Sequence, residues 1–248
     1  MRPQEIATFR NTVILIVGLF LVWELAYLVV GDVALRSPWQ TVKFLGKLMR
    51  TDLFWLHLAD SLKAFAVALA IAIVLGLLIG FALGLHRLSG EAMEPMLVAL
   101  YSIPKITLYP IILLAFGIGI SAKIAFGAIH GIIPVALFTL NAVRTTRPIL
   151  IKTGRVLKLS PALMVREILF PAAVPEIFTG IRVGFSLTLI GTILGEMFAA
   201  QRGLGYMLMS AISLYNIDLI MSVTFLLVVL AASVNMALLV IDRRLHHG

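Results

Sequence analysis

Residues 64–85 read AFAVALAIAIVLGLLIGFALGL, a run without a single Asp, Glu, Lys or Arg. A helix of about 20 apolar residues, rising 1.5 Å per residue, crosses the hydrocarbon core of a bilayer. Hydrocarbon offers no partner to a backbone N–H or C=O, so such a run is helical rather than an open strand. The same reading applies around it: Thr12–Leu21 and Phe225–Val234 are equally free of charge. Over the whole chain 61% of residues are apolar and 13% are charged, and the mean hydropathy is +1.07. A water-soluble domain is about half apolar and about a quarter charged. Too little polar surface exists here to cover a soluble core, and an all-α membrane protein of about six transmembrane helices is expected.

Working outward, the first span is expected over Asn11–Val30 and is read as a retained span, since no small-x-small cleavage site follows Val30. An amphipathic stretch, Ser37–Arg50, follows, with Ser37-Pro38 as its start signal. The second span covers Leu58–Leu85. The third, Met93–Gly117, carries Pro104 and Pro110 and is expected to be broken or kinked. The fourth covers Ala122–Val143, the fifth Ile177–Ala200 and the sixth Leu219–Ile241, with a turn near Gln201–Gly205. The chain is read as one transmembrane domain over 1–248, with residues 1–57 holding the first span and an external segment, and 58–244 a core that includes the loop 144–171.

The net charge of +8 suits Lys and Arg retained on the cytoplasmic side better than a nucleic-acid surface. With both termini cytoplasmic, Arg2, Arg10, Arg87, Arg144, Arg147, Lys152, Arg155, Lys158, Arg166, Arg243 and Arg244 all lie inside, against Arg36, Lys43, Lys47 and Arg50 outside. There is no cysteine, no H-E-x-x-H and no phosphate-binding G-x-x-x-x-G-K-[ST]. Neither catalysis nor a metal is expected on this chain, and any ATP and Mg must be bound by a partner.

Glycines recur four residues apart at Gly76, Gly80 and Gly84, at Gly180 and Gly184, and at Gly191 and Gly195. Small residues at that spacing let helix backbones approach closely; the bland reading is tight packing, the functional one faces that slide during gating. The segment Arg144–Pro171 is basic, with six Lys or Arg against Glu167. A short helix over Lys152–Lys158, a turn and fresh start at Leu159-Ser160-Pro161, and a second helix broken by Pro171 would suit docking onto another protein; the alternative is a solvated loop that sets topology. Lys105, one residue after Pro104, is a costly charge inside a span. It either faces a translocation path and attracts an anion, or snorkels, or pairs with Glu196. Glu196 near the end of the fifth span pairs with a base or lines the external gate. Arg182 and Glu176 read as interfacial anchors, Asn141 and Asn235 as interhelical hydrogen-bonding groups, and His130 as a packing residue or a substrate contact.

These residues together resemble type I ABC importer permeases, whose cytoplasmic motif reads Glu-Ala-Ala-x3-Gly-x9-Ile-x-Leu-Pro. With the final proline on Pro171, Ile168 matches, Phe170 replaces Leu, Lys158 stands at the glycine, and Lys152-Thr153-Gly154 stand at Glu-Ala-Ala. The segments His57-Leu58-Ala59-Asp60-Ser61-Leu62-Lys63, Ile103-Pro104-Lys105, Phe116-Gly117-Ile118-Gly119, Glu196-Met197, Gly203-Leu204-Gly205-Tyr206 and Asp218 are similar to the nitrate/sulfonate/taurine branch. The resemblance implies a permease of the bacterial inner membrane working by alternating access. It implies partners too: a second copy of the chain, two ATP-binding subunits contacting Lys152, Thr153, Gly154, Arg155, Lys158, Leu159, Ser160 and Pro161, and an external solute-binding protein. A secondary transporter or channel, or a structural subunit without a pore, are the rival readings.

Overall fold

The computed structural model describes the backbone of residues 3–247, and side chains over 10–198 and 200–245; Arg2 lies outside the described residues. Helices follow one another as α1 (Pro3–Val30), α2 (Pro38–Leu48), α3 (Asp52–Leu85), α4 (Arg87–Ser102), α5 (Tyr109–Phe116), α6 (Ile120–Arg144), α7 (Pro148–Val156), α8 (Pro161–Met164), α9 (Phe170–Ala199), α10 (Leu204–Ser213) and α11 (Ile217–His247). Among the described residues, five stretches are long and apolar enough to cross a membrane: Arg10–Val30, Asp52–Leu85, Ile120–Arg144, Pro161–Phe198 and Ile217–Leu245. A sixth is made by α4 and α5 with the 3₁₀ turn Lys105–Leu108, bent by 89°. The expected all-α architecture of about six spans is what forms.

The prolines act differently from one another. Pro104 ends α4 and produces the bend, as expected. Pro110 breaks nothing, because it occupies the first turn of α5, where its missing N–H has no partner to lose. Pro171 likewise fails to break its helix and sits in the first turn of α9. Just before it, Val165–Leu169 form a π turn, whose wider winding makes room where a proline ring would otherwise meet the carbonyl four residues back. The turn after the fifth span leads into α10, a short apolar helix not expected from the sequence.

The chain divides into two compact units, residues 1–56 with 207–229, and residues 57–206 with 230–248. In the first, Ser37 caps α2 in a full capping box, its hydroxyl accepting from Gln40 N–H while Gln40 Oε1 accepts from Ser37 N–H. Arg36 donates to Asp218 through Nε at 2.7 Å and to Asp32 through Nη1 at 2.8 Å. Asp218 foremost, then Asp32, hold the guanidinium charged and raise its pKa further, with desolvation working against them. One of the basic residues that strained the charge-based topology is thereby neutralised in place. Ser222 Oγ donates to Thr41 O, and Phe20, Trp23 and Phe225 cluster. Most of α1 is an exposed apolar cylinder, including Ile14, Leu15, Leu21 and Leu25, as a helix solvated by lipid should be.

The second unit is built around α6. On α3 the residues Ser61, Ala64, Ala68, Ala72, Gly76 and Gly80 form one buried stripe of small side chains, recurring every three or four positions. A methyl group at Gly76 would stand 2.6 Å from Val135 Cβ, at Gly80 2.7 Å from Ala136 O, and at Gly84 2.8 Å from Val143 Cβ. The face between α6 and α9 is similar: Gly184 meets Val135 Cγ2 and Gly131 O, Gly180 meets Phe138, Gly191 meets His130, and Gly195 meets Lys123 Cα. All seven glycines of the repeat thus lie against α6. Apolar layers of Tyr109, Ile112, Ala122 and Phe126, and of Ala142, Ala173 and Ile177, fill the space beside them.

Candidate functional site

Lys123 lies in the first turn of α6 on the face that packs inward. Its side chain is 2% exposed, with Nζ 2.5 Å from Asp60 Oδ2 and 3.2 Å from Glu196 Oε1. A third bond, 3.2 Å, goes to the carbonyl of Arg202. All three ammonium donors are therefore used. Glu196, near the end of α9, is fully buried, and besides Lys123 it accepts from Ser61 Oγ at 2.7 Å and from Gly205 N–H at 2.9 Å. A buried carboxylate persists as an ion only when its lone pairs are met in this way.

The same cluster holds the start of α10. The first N–H groups of a helix have no partner within it, and here they are supplied from other helices: Gly203 N–H bonds His57 Nδ1 at 3.0 Å, Leu204 N–H bonds Ser61 Oγ at 2.7 Å, and Gly205 N–H bonds Glu196. His57, Asp60 and Ser61 stand at i, i+3 and i+4, so one face of α3 presents all three. Accepting at Nδ1 fixes His57 as a neutral ring, stacked on Tyr206 at 5.8 Å. A carboxylate at the positive end of α10 is favourably placed. Gly203 has φ +121°, and any Cβ there would run into the Glu196 carboxyl; one at Gly205 would lie 2.7 Å from Glu196 Cβ. The Gly-Leu-Gly-Tyr segment is thus the space that lets Glu196 reach a backbone. A cavity of about 240 Å³ adjoins the cluster, lined by Asp60, Gly119, Ile120, Lys123, Ala200, Gln201 and Arg202.

The residues expected to line a path do not gather there, Glu196 excepted. Lys105 is 8% exposed and its Nζ donates to Tyr101 O at 3.0 Å while lying 5.5 Å over the Tyr101 ring. It caps the C-terminus of α4, whose carbonyls are freed where Pro104 ends the helix. Lys123, not Lys105, takes the place opposite Glu196. His130 Nδ1 lies 2.8 Å from Phe126 O, with its ring against Phe126, which is a packing arrangement. Arg182 pairs with Asp242 at 3.3 Å, and Thr179 bonds the same carboxylate. Glu176 lines a cavity of about 460 Å³ with Thr146, Arg147 and Pro175. Asn235 is exposed, and at Asn141 it is the backbone carbonyl that accepts, from Thr145. Sequence reading missed Lys123 because it lies at the edge of a span. The signal was a lysine in an apolar helix start together with a His-x-x-Asp-Ser face.

In the loop after α6, α7 begins at Pro148 and ends at Val156, earlier at both ends than Lys152–Lys158. Its end is a Schellman motif: Leu159 N–H reaches Gly154 O and Lys158 N–H reaches Arg155 O, with Lys158 at φ +50°. Glycine in the motif register corresponds to a position that is left-handed here, which is the conformation glycine adopts without strain. Gly154 packs on Met164 and Ile168, where a methyl would stand 2.6–2.7 Å from their side chains. Ser160 caps α8, with Pro161 in its first turn.

Several apolar spans, closely packed on small residues and with polar groups concentrated at helix ends, define a multi-pass membrane protein. The chain belongs to the family of binding-protein-dependent transport system inner membrane components, whose profile its residues 72–247 match. It is 29% identical over 191 residues to the taurine transport system permease protein TauC of Escherichia coli K12, covering 77% of this chain and 70% of that protein. Over 229 residues it is 28% identical to the putative aliphatic sulfonates transport permease protein SsuC of the same organism, covering 92% and 87%. The riboflavin transport system permease protein RibX of Chloroflexus aurantiacus is 32% identical over 172 residues, covering 69% and 64%. A chain of the MetNI methionine ABC transporter in an inward-facing conformation shares the fold, with a TM-score of 0.68, 24% identity, and coverage of 78% of this chain and 97% of that one. This protein is accordingly an ABC importer permease subunit of the inner membrane, rather than a secondary transporter or channel.

Proposed function

We propose that the chain, paired with a second copy, forms the path by which a small anionic solute of the sulfonate class enters the cytoplasm. An external solute-binding protein delivers the solute, and two ATP-binding subunits carrying ATP and Mg drive alternating access. Both termini and the 144–171 segment face the cytoplasm. The observation that carries this reading is α7. It is short, ended by a Schellman turn, and presents Ile149, Val156, Leu157 and the basic residues Lys152 and Arg155 to its surroundings. An exposed apolar and basic helix end suits a groove on a partner with acidic walls. Residues 152–161, namely Lys152, Thr153, Gly154, Arg155, Lys158, Leu159, Ser160 and Pro161, are the proposed coupling contact.

The solute class is supported by the likeness to the taurine and aliphatic sulfonates permeases. Lys105 stands at the break between α4 and α5, with one N–H on Tyr101 O, and is proposed to border the path there. Pull-down of the chain from native membranes should recover a P-loop ATPase, and its activity in liposomes should rise when a sulfonate-loaded binding protein is added. Recovery without any nucleotide-binding partner would refute the reading. A rise with riboflavin-type solutes but not with sulfonates would refute the solute class alone.

A further inference from the structure

We propose that the Lys123–Glu196–Asp60 cluster is the lock of the extracytoplasmic gate, and that the turn 200–205 is its moving part. The proposal rests on the permease reading above. Lys123 is in the first turn of α6 and α7 follows the last. A 25-residue helix is about 37 Å long, so the cluster and the coupling helix stand at opposite ends of one span. When α7 is cytoplasmic, the cluster is not.

The cluster joins the starts of α3 and α6 to the end of α9. Nearest the cluster, Gly195 lies on the backbone at Lys123 and Gly127 faces Thr192, whereas the larger His130, Val135 and Phe138 seat on Gly191, Gly184 and Gly180 farther along. The small residues nearest the cluster give little steric resistance to a relative shift there. The resistance at this end lies instead in directional bonds, those of Lys123 and the three N–H groups of 203–205.

Charge makes these bonds conditional on water. A buried ion pair broken while dry leaves an uncompensated charge, whereas the same ions released into water recover most of their hydration. Asp60 is 28% exposed, and it shares the cavity of about 240 Å³ with Lys123 and Arg202. Loosening the turn extends that cavity to Glu196. The lock then resists strongly until water enters and weakly afterwards, which is the behaviour a two-state gate requires.

The test exploits the absence of cysteine in the chain. Ile120→Cys and Gln201→Cys, both lining the cavity, are introduced together, and the protein is assembled with its ATPase and binding protein in liposomes. A short thiol cross-linker should join the pair in the nucleotide-free state, with its yield falling about tenfold when ATP and vanadate trap the transporter. Cross-linked transporter should lose transport and regain it when a cleavable linker is reduced. Glu196→Gln, which keeps an acceptor for Gly205 and Ser61 but drops the charge, should raise ATPase activity without binding protein. Equal yields in both states, or normal transport when cross-linked, would overturn the lock. If the unmodified chain shows no ATP-dependent transport, it is the permease reading that fails.

Discussion

Replacing Lys123 by Met tests the electrostatics of the cluster directly, because Met fills a similar space without a charge. Its partners differ in what they lose. Asp60 is 28% exposed and can turn to water, while Glu196 is 0% exposed and cannot. The cost therefore falls on Glu196, left buried with only Ser61 and Gly205 as donors. Removing one member of a buried pair costs about 3–5 kcal/mol. At about 2–4 °C per kcal/mol for a chain of this size, the midpoint of thermal unfolding should fall by roughly 6–20 °C. Fluorescence-detected size-exclusion of detergent-solubilised protein after heating measures this. Adding Glu196→Gln to Lys123→Met removes the stranded charge, so the double variant should melt above Lys123→Met, with a coupling of about 1.5–3 kcal/mol. A Lys123→Met protein melting within about 2 °C of the wild type, or strictly additive losses, would refute the assignment of a buried ion pair.

Lys158→Gly should stabilise the α7 end by about 1 kcal/mol, since the left-handed residue would no longer carry a Cβ penalty; slower hydrogen exchange at Leu157–Leu159 would register it. Gly76→Ala places a methyl 2.6 Å from Val135 Cβ and should cost about 1–3 kcal/mol through overpacking, seen as a lower yield of monodisperse protein. Gly203→Ala combines a φ of +121° with collision against the Glu196 carboxyl, so its loss should exceed that of Gly76→Ala in the same assay. Arg36→Ala opens a partly exposed pair with Asp218, and should cost no more than about 1 kcal/mol, less at high salt.

Apolar length and charge placement made the spans legible, because lipid forces the backbone to satisfy itself within each helix. Local chemistry was legible for the same kind of reason. Ser37 with Gln40, and Ser160 with Pro161, announce helix starts through bonds spanning three residues. The glycine spacing marked close-packed faces, although it could not say that α6 lies opposite all of them.

Proline was misread at Pro171, since a proline signal states what a helix loses and not whether a π turn upstream absorbs it. The left-handed conformation of Lys158, at φ +50°, is set by the turn that ends α7 and not by its residue type. The cluster itself lay beyond the sequence. Glu196 was visible, but its side-chain partners are 73 and 135 residues away. Periodicity determines which face of a helix is buried. Which charge stands opposite which depends on the rotation and register of α3, α6 and α9 against one another, and packing at their small residues sets those.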